Sequence, residues 1–316
     1  MKFISRSFIF DSIRVLTGIV FILGAVLKLY PIAPLEILLV KINICNWFWA
    51  PIFARMLIGF EIVLGSLLLV KIYHKKILYL SLLTLIGFTI FLFYFKFILG
   101  KDDNCGCFGE AIHLNPIESV IKNIALMILI IYSIINAGSE FSWMLKYRKL
   151  ILSSIIVAGF SVPFMLNAVT FPGGEGNYVI KPGMNITADK FSNVRFNGDS
   201  INLLSGRKLI CFLSLQCKTC KYTATKLAIL NKKHGNALPI YIIFLEVEDN
   251  EKFLIRFMKE TEADNIPNTT MKSEQFFRVS DGKLPFLMYL DNGQIKNLSN
   301  FDDMNPDALI DFFEGR

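Results

Sequence analysis

Charge is what this sequence has too little of. Asp, Glu, Lys and Arg make up 19% of its residues, against about 25% in an ordinary soluble chain. The shortfall falls on residues 1–170, where Phe, Ile and Leu dominate, while 173–316 read as a soluble domain. The formal net charge is +7, but the cations cluster at the ends of apolar runs. That pattern belongs to membrane topology rather than to a nucleic-acid surface. Cysteine is scarce too: six residues are too few for a disulfide scaffold. No A-x-A cleavage signal follows the basic, apolar N-terminus, which therefore reads as a retained first span. Internal repeats are absent.

What is present begins with five apolar stretches, residues 13–30, 51–70, 77–99, 117–135 and 150–169. Each approaches the roughly 20 residues that cross a bilayer as a helix. Arg14 and Lys28 stand at the ends of the first, where long cationic side chains can extend toward the interfaces. Lys2, Arg6 and Arg14, then Lys71, Lys75 and Lys76, then Lys146, Arg148 and Lys149 all fall on one side of such a bundle. The positive-inside rule makes that side cytoplasmic. The expectation is a multi-pass protein of a bacterial inner (cell) membrane with its N-terminus inside. The loops 31–50 and 100–116 and the whole C-terminal domain then lie outside the cytoplasm, where disulfides persist. The boundaries expected are 1–171 for the membrane domain, 172–178 for a glycine-rich linker and 179–316 for an α/β domain.

In that last domain, residues 208–215 have the length and composition of a buried strand, and Cys217-Lys218-Thr219-Cys220 follows at once. Helical spacing then runs over 222–232. A strand that delivers CxxC to a helix start places the first thiol among free N–H groups and partial positive charge, which stabilise a thiolate. Lys218 and Lys221 would add to that effect. Cys217 is then the attacking thiol and Cys220 the resolving one. Further strands are expected at 238–245, 286–290 and 294–298, and helices at 251–262 and 307–313. The bland reading of CKTC is half of a zinc site, but a zinc site needs four ligands, and no second pair or His cluster stands near it. Cys211, inside the first strand, reads as a buried apolar residue.

The membrane part carries a second thiol pair, Cys105-Gly106-Cys107, followed by Phe108-Gly109. Two cysteines around one glycine can close only a tight ring, and strained disulfides exchange readily. A fixed loop clip, or a metal site with His113, are the alternatives. In the second span Glu61 puts a carboxylate near mid-membrane. An unpaired charge there costs about 2.5–3.5 kcal/mol on insertion scales, so a partner is expected among Arg14, Lys28 and Arg55. A purely structural buried pair is the competing reading. Arg14, Gly18, Phe21, Ala25 and Lys28 share one helix face with small residues that allow close packing.

The C-terminal 140 or so residues resemble the thioredoxin superfamily in its membrane-anchored TlpA/ResA-like branch, with Pro285 at the position of that family's cis-proline. The chain departs from it in lacking a Trp before Cys217 and a proline between the cysteines. Residues 10–140 resemble the DoxX/MauE family of redox-associated membrane proteins. The likeness rests on Arg14, Gly18, Phe21, Gly24, Lys28, Glu61 and Cys105-Gly-Cys-Phe-Gly. Together the resemblances imply a transmembrane bundle of four core helices and a connecting fifth, followed by a thioredoxin-like domain. The activity implied is thiol-disulfide exchange between Cys217/Cys220 and Cys105/Cys107 in redox maturation of extracytoplasmic client proteins, with Pro285, Lys218, Glu61, Arg14 and Lys28 in support. The lipid bilayer is the other partner. No metal and no cofactor are called for, save a quinone in a second reading, a quinone-coupled disulfide generator. A third reading is a factor of the methylamine-utilisation type that holds clients without turnover.

Overall fold

The structure is a computed structural model, and it describes residues 6–98, 109, 115–136, 142–169, 194–203, 205–247 and 250–315. It divides into two compact units: residues 1–39 with 49–169, and residues 40–48 with 170–316. Cys105 and Cys107 lie outside the described residues.

The first unit is helical: α1 (Arg6–Leu29), α2 (Ala33–Lys41), α3 (Ala50–Val70), α4 (His74–Phe93, ending in a π turn, Tyr94–Ile98), α5 (Pro116–Ile135) and α6 (Ser142–Leu166). Five of these helices, all but α2, are long and apolar enough to cross a membrane. α2 was expected as loop; its nine residues are too few to span, and span length was the signal read. Pro51 in the first turn of α3 and Pro116 at the start of α5 sit where a missing N–H costs nothing. Asn115 caps α5 and forms a reciprocal capping box with Glu118.

α3 is the centre of this unit, and small residues let its neighbours close in. A Cβ on Gly65 would stand 2.7 Å from the Gly18 carbonyl, and one on Gly18 would stand 2.9 Å from the Gly65 carbonyl. Here the backbones of α1 and α3 touch. On another face, a Cβ on Gly59 would meet Phe160 at 2.7 Å, and one on Gly159 of α6 would meet Val63 at 2.5 Å. Lipid tails are as apolar as leucine, so close backbone approach of this kind drives packing in a bilayer.

Asp11, Arg14 and Lys28 of α1 and Arg55 and Glu61 of α3 each have a partner. Arg14 donates to the carbonyls of Leu68 and, at 2.8 Å, Leu69, which are free at the C-terminal end of α3. Asp11 lies 3.3 Å from Arg14 and 2.9 Å from Lys71. Arg55, 2% exposed, donates to Glu36 at 2.7 Å, to its own helix at Pro51 O, and to the carbonyls of Asn167 and Ala168 just past α6. Lys28 pairs with Glu61. Arg14 and Lys28 are thus buried in the bundle rather than extended to the interfaces.

The second unit holds a five-stranded sheet in the order β5-β4-β3-β6-β7. Its strands are β3 (Arg207–Leu213), β4 (Ile240–Leu245), β5 (Asn268–Met271), β6 (Phe286–Asp291) and β7 (Gln294–Ser299). β3, β4 and β5 run parallel, and β6 and β7 form an antiparallel hairpin added to β3. Helices α7 (Lys218–Lys233), α8 (Asn250–Thr261), α9 (Ser273–Ser280) and α10 (Pro306–Glu314) alternate with them, and a two-strand ribbon, β1 (Arg195–Phe196) with β2 (Asp199–Ser200), precedes. A helix between parallel neighbours is what a crossover connection requires. One apolar core centres on Cys211, Leu227, Phe244 and Leu287, the other on Phe212, Ile243, Phe276 and Phe286. β3 contributes to both because its residues alternate between the two faces of a sheet covered on each side. This is the thioredoxin-like arrangement.

Replacing Gly65 with leucine should destabilise the bundle by about 1–3 kcal/mol, the usual range for overpacking. The check is a lower melting temperature in detergent, with the same substitution at Gly87, where a Cβ meets nothing within 4 Å, leaving it unchanged.

Candidate functional site

The C-terminal end of β3 sits at the centre of the sheet, and the chain leaves it directly into the cysteine pair. Cys217 is the N-cap of α7, with extended backbone at φ −82° and ψ 120°. Its sulfur accepts the backbone N–H of Cys220 at 3.3 Å, the role that Ser or Asp plays at other helix starts. Cys217 is half-buried and Cys220 is fully buried, and both are free thiols. One sulfur is accessible and the other is one turn behind it.

The electrostatics follow from that placement. The Cys217 thiol is lowered to about 6 by a hydrogen bond from the Cys220 side chain, against the opposing effect of burial, and then by the backbone N–H groups of Cys220 and Thr219. Cys220 is raised, first because its proton is held in the bond to Cys217 and then because it is buried. The lowering thus comes from hydrogen bonds at the helix start. Lys218 is exposed at the first helical position, and Lys221 holds Glu260 at 2.5 Å. Glu260 also accepts from Arg256 at 2.7 Å. Cys211, by contrast, is wholly buried, and burial drives its thiol far up.

Pro285 stands at the start of β6, and the Leu284–Pro285 bond is cis. Phe212 of β3 pairs with Phe286 of β6. Pro285 is therefore one step beyond the last pair, at the sheet end from which the CKTC segment departs. Further along α7, sequence reasoning missed one buried residue. Lys226, on the inner face of α7, is 6% exposed. Its ammonium donates to the Met304 carbonyl at 3.0 Å and lies 5.1 Å from the centre of the Phe301 ring. A lysine in an otherwise helical pattern carries no signal of burial.

In the membrane unit the sequence left three cations open as partners for Glu61. Lys28 takes that place, with 7% of its surface exposed against 2% for Glu61. Arg14 and Arg55 are committed elsewhere, as described above. No cluster of metal-ligating side chains occurs among the described residues.

Residues 6–136 match the family model of methylamine utilisation protein MauE, so the membrane unit carries a MauE domain. Protein TlpB of Flavobacterium psychrophilum is 28% identical over an alignment that covers 98% of this chain and 98% of that one. Solved structures similar to the C-terminal unit include a secreted Mycobacterium tuberculosis disulfide oxidoreductase. It is 12% identical, covers 40% of this chain and 98% of that one, and has a TM-score of 0.33. A putative protein disulfide isomerase from Bacteroides thetaiotaomicron is 17% identical, covers 38% and 84% of the two chains, and has a TM-score of 0.30. The chain is a membrane protein with a thioredoxin-like domain whose geometry suits thiol and disulfide substrates.

In a full-length variant with Cys45, Cys105 and Cys107 changed to serine, alkylation of reduced Cys217 should rise through a midpoint near pH 6, its lowered value. Cys220 should stay unreactive throughout. The sign for stability follows. A thiol whose value falls on folding stabilises the reduced fold most fully above its unfolded value, and that contribution is lost as pH falls through about 6. A midpoint at the ordinary thiol value, or faster reaction of Cys220, would reverse the assignment of attacking and resolving thiols.

Proposed function

We propose that this chain, a MauE membrane domain joined to a thioredoxin-like domain, is a membrane-bound thiol-disulfide oxidoreductase that relays between Cys217/Cys220 and Cys105/Cys107. Its clients are extracytoplasmic proteins. The observation that carries the reading is Cys217 as N-cap of α7, half-buried and with a lowered thiol, backed by a buried Cys220.

In the exchange, the Cys217 thiolate attacks one sulfur of a partner disulfide, and the other sulfur leaves with the proton it takes up. Cys220 then loses its proton and attacks Cys217, closing the CKTC disulfide and releasing the partner as a dithiol. Run backwards, the same steps oxidise the partner. The chain between the fifth span and β1 includes Pro172-Gly173-Gly174-Glu175-Gly176. A short, glycine-rich tether of that kind keeps one pair at around millimolar effective concentration for the other. Lys71, Lys75, Lys76, Lys146, Arg148 and Lys149 mark the cytoplasmic face, which puts both pairs on the opposite side.

A Cys220→Ser variant lacks the resolving thiol and should accumulate a mixed disulfide between Cys217 and Cys105 or Cys107. After cleavage at a protease site engineered into 172–178, a non-reducing gel should show the two halves still joined. The band should vanish when Cys105 and Cys107 are serine. Halves that separate, in a variant that still captures other thiols, would end the relay and return the CGC segment to a structural clip. A holding factor without turnover would keep its effect on clients in Cys217→Ser, and an exchanger would lose it.

A further inference from the structure

The compact unit that holds the thioredoxin-like sheet is discontinuous in sequence. It includes residues 40–48, while the chain on either side, up to Leu39 and again from Trp49 to Val169, belongs to the helical unit. The chain thus passes between the units at three places, and the glycine-rich tether is one of them. Within the segment 40–48 one side chain goes in. Trp47 is 8% exposed, whereas Ile44 is 60% and Phe48 47% exposed. The centre of its ring lies 5.2 Å from the Lys226 ammonium, which has the Phe301 ring at 5.1 Å and the Met304 carbonyl as acceptor. A buried ammonium must be compensated for the water it has lost. Two aromatic rings and a carbonyl supply that compensation, and Trp47 is one of the two rings.

Two further points flank this anchor. Lys41 meets Glu262 at 2.8 Å. Glu262 stands just past the end of α8, where an anion opposes the helix dipole and a cation upon it offsets the conflict. Burial raises the Cys45 thiol, and the charge of Lys233, in the last turn of α7, opposes that rise. Together these contacts order the segment. Lys226 and Lys233 are about two turns apart and share a face of α7. Cys45 lies by Lys233 and Trp47 by Lys226, so the segment runs antiparallel to α7, back toward its N-terminus. It stops short of the thiol, since Lys226 is about 13 Å along the helix from Cys217 at the usual rise per residue. Cys217 is half-buried and Lys218 beside it is exposed.

We infer that residues 40–48 are the docking element of the thioredoxin-like unit, anchored by Trp47 on Lys226 and by Lys41 on Glu262, and that this surface of α7 and α8 is a fixed interface with its own chain. The thiol end of α7 is a separate surface, left to partners. A chance contact between loops leaves aromatic rings outside, as Phe48 and Trp49 are, each about half exposed. A buried tryptophan against a buried cation is instead the pattern of an interface centre, where such residues carry most of the binding. The inference does not depend on which sulfur chemistry Cys217 performs. Its consequence is that the unit is held by the segment 40–48 even when the glycine-rich tether is cut.

The test uses the full chain in mild detergent, with a protease site engineered into 172–178 and a phosphine reductant present so that no disulfide joins the halves. After cleavage the N-terminal half is held on an affinity resin under native conditions, and release of the C-terminal half is timed. In the parent chain the halves should stay together. Trp47→Ala should speed release by about thirtyfold, the loss typical of a buried tryptophan at the centre of an interface. Lys41→Glu should speed it by a smaller factor, and adding Glu262→Lys should restore the slower rate, a rescue that misfolding cannot produce. Immediate release from the parent, or release from Trp47→Ala at the parent's rate, would overturn the inference. Should Trp47→Ala misfold, the charge swap decides, and a swap without rescue overturns it.

Discussion

In a bilayer there is no water to complete a polar group's hydrogen bonds, so each must be completed by the protein. The membrane unit is organised by that constraint. Arg14, Lys28, Arg55 and Glu61 are all buried. Arg14 is drawn to the bare carbonyls at the end of α3, Arg55 to those past α6, and Lys28 to Glu61. Each of these bonds joins two helices, so satisfying a charge and fixing the packing are one event. α1 and α3 run antiparallel, since Arg14 meets Leu68 while Gly18 meets Gly65. Side chains lean toward the N-terminus of their own helix. Lys28 and Glu61, on antiparallel helices, therefore lean toward each other.

The same rule, applied to a helix start in water, builds the thiol site. The first N–H groups of α7 have no acceptor within the helix. A serine or aspartate usually supplies one; here the sulfur of Cys217 does. The sheet brings the residue there, because β3 is the central strand and its end opens directly into the cap. Placing the Cys217 thiol and lowering its proton affinity are consequences of a single geometry. That geometry is built without a tryptophan ahead of CKTC or a proline inside it, two residues that the resemblance to the thioredoxin superfamily led one to look for.

Much of this was legible in advance because it depends on local pattern. Apolar stretches of span length located the five long helices, and continuous apolar runs before CKTC and after Pro285 located β3 and β6. Helical spacing and a turn signal located α8, α10 and β7, whereas β5 and α2 were among the elements missed. β5 reads Asn-Thr-Thr-Met, with its apolar content confined to one residue, and is a strand because β4 offers it an edge. α2 is apolar but nine residues long. The choice of partner for Glu61 was out of reach for another reason. Arg14, Lys28 and Arg55 are equally cationic, and what separates them is the level at which α1 and α3 cross, a tertiary fact set by Gly18 and Gly65.

Thiol-disulfide exchange is proton chemistry as much as sulfur chemistry. Where water reaches the site, a thiolate can be generated by lowering its proton affinity, and N–H dipoles at a helix start are enough. Water then carries the proton away. In the membrane unit the polar groups are held differently: Lys28 bonds Glu61 through Oε1, and Oε2 is buried with no hydrogen-bond partner among the described residues. An ammonium on Glu61 Oε1 leaves Oε2 available in a way that bidentate pairing with an arginine would not.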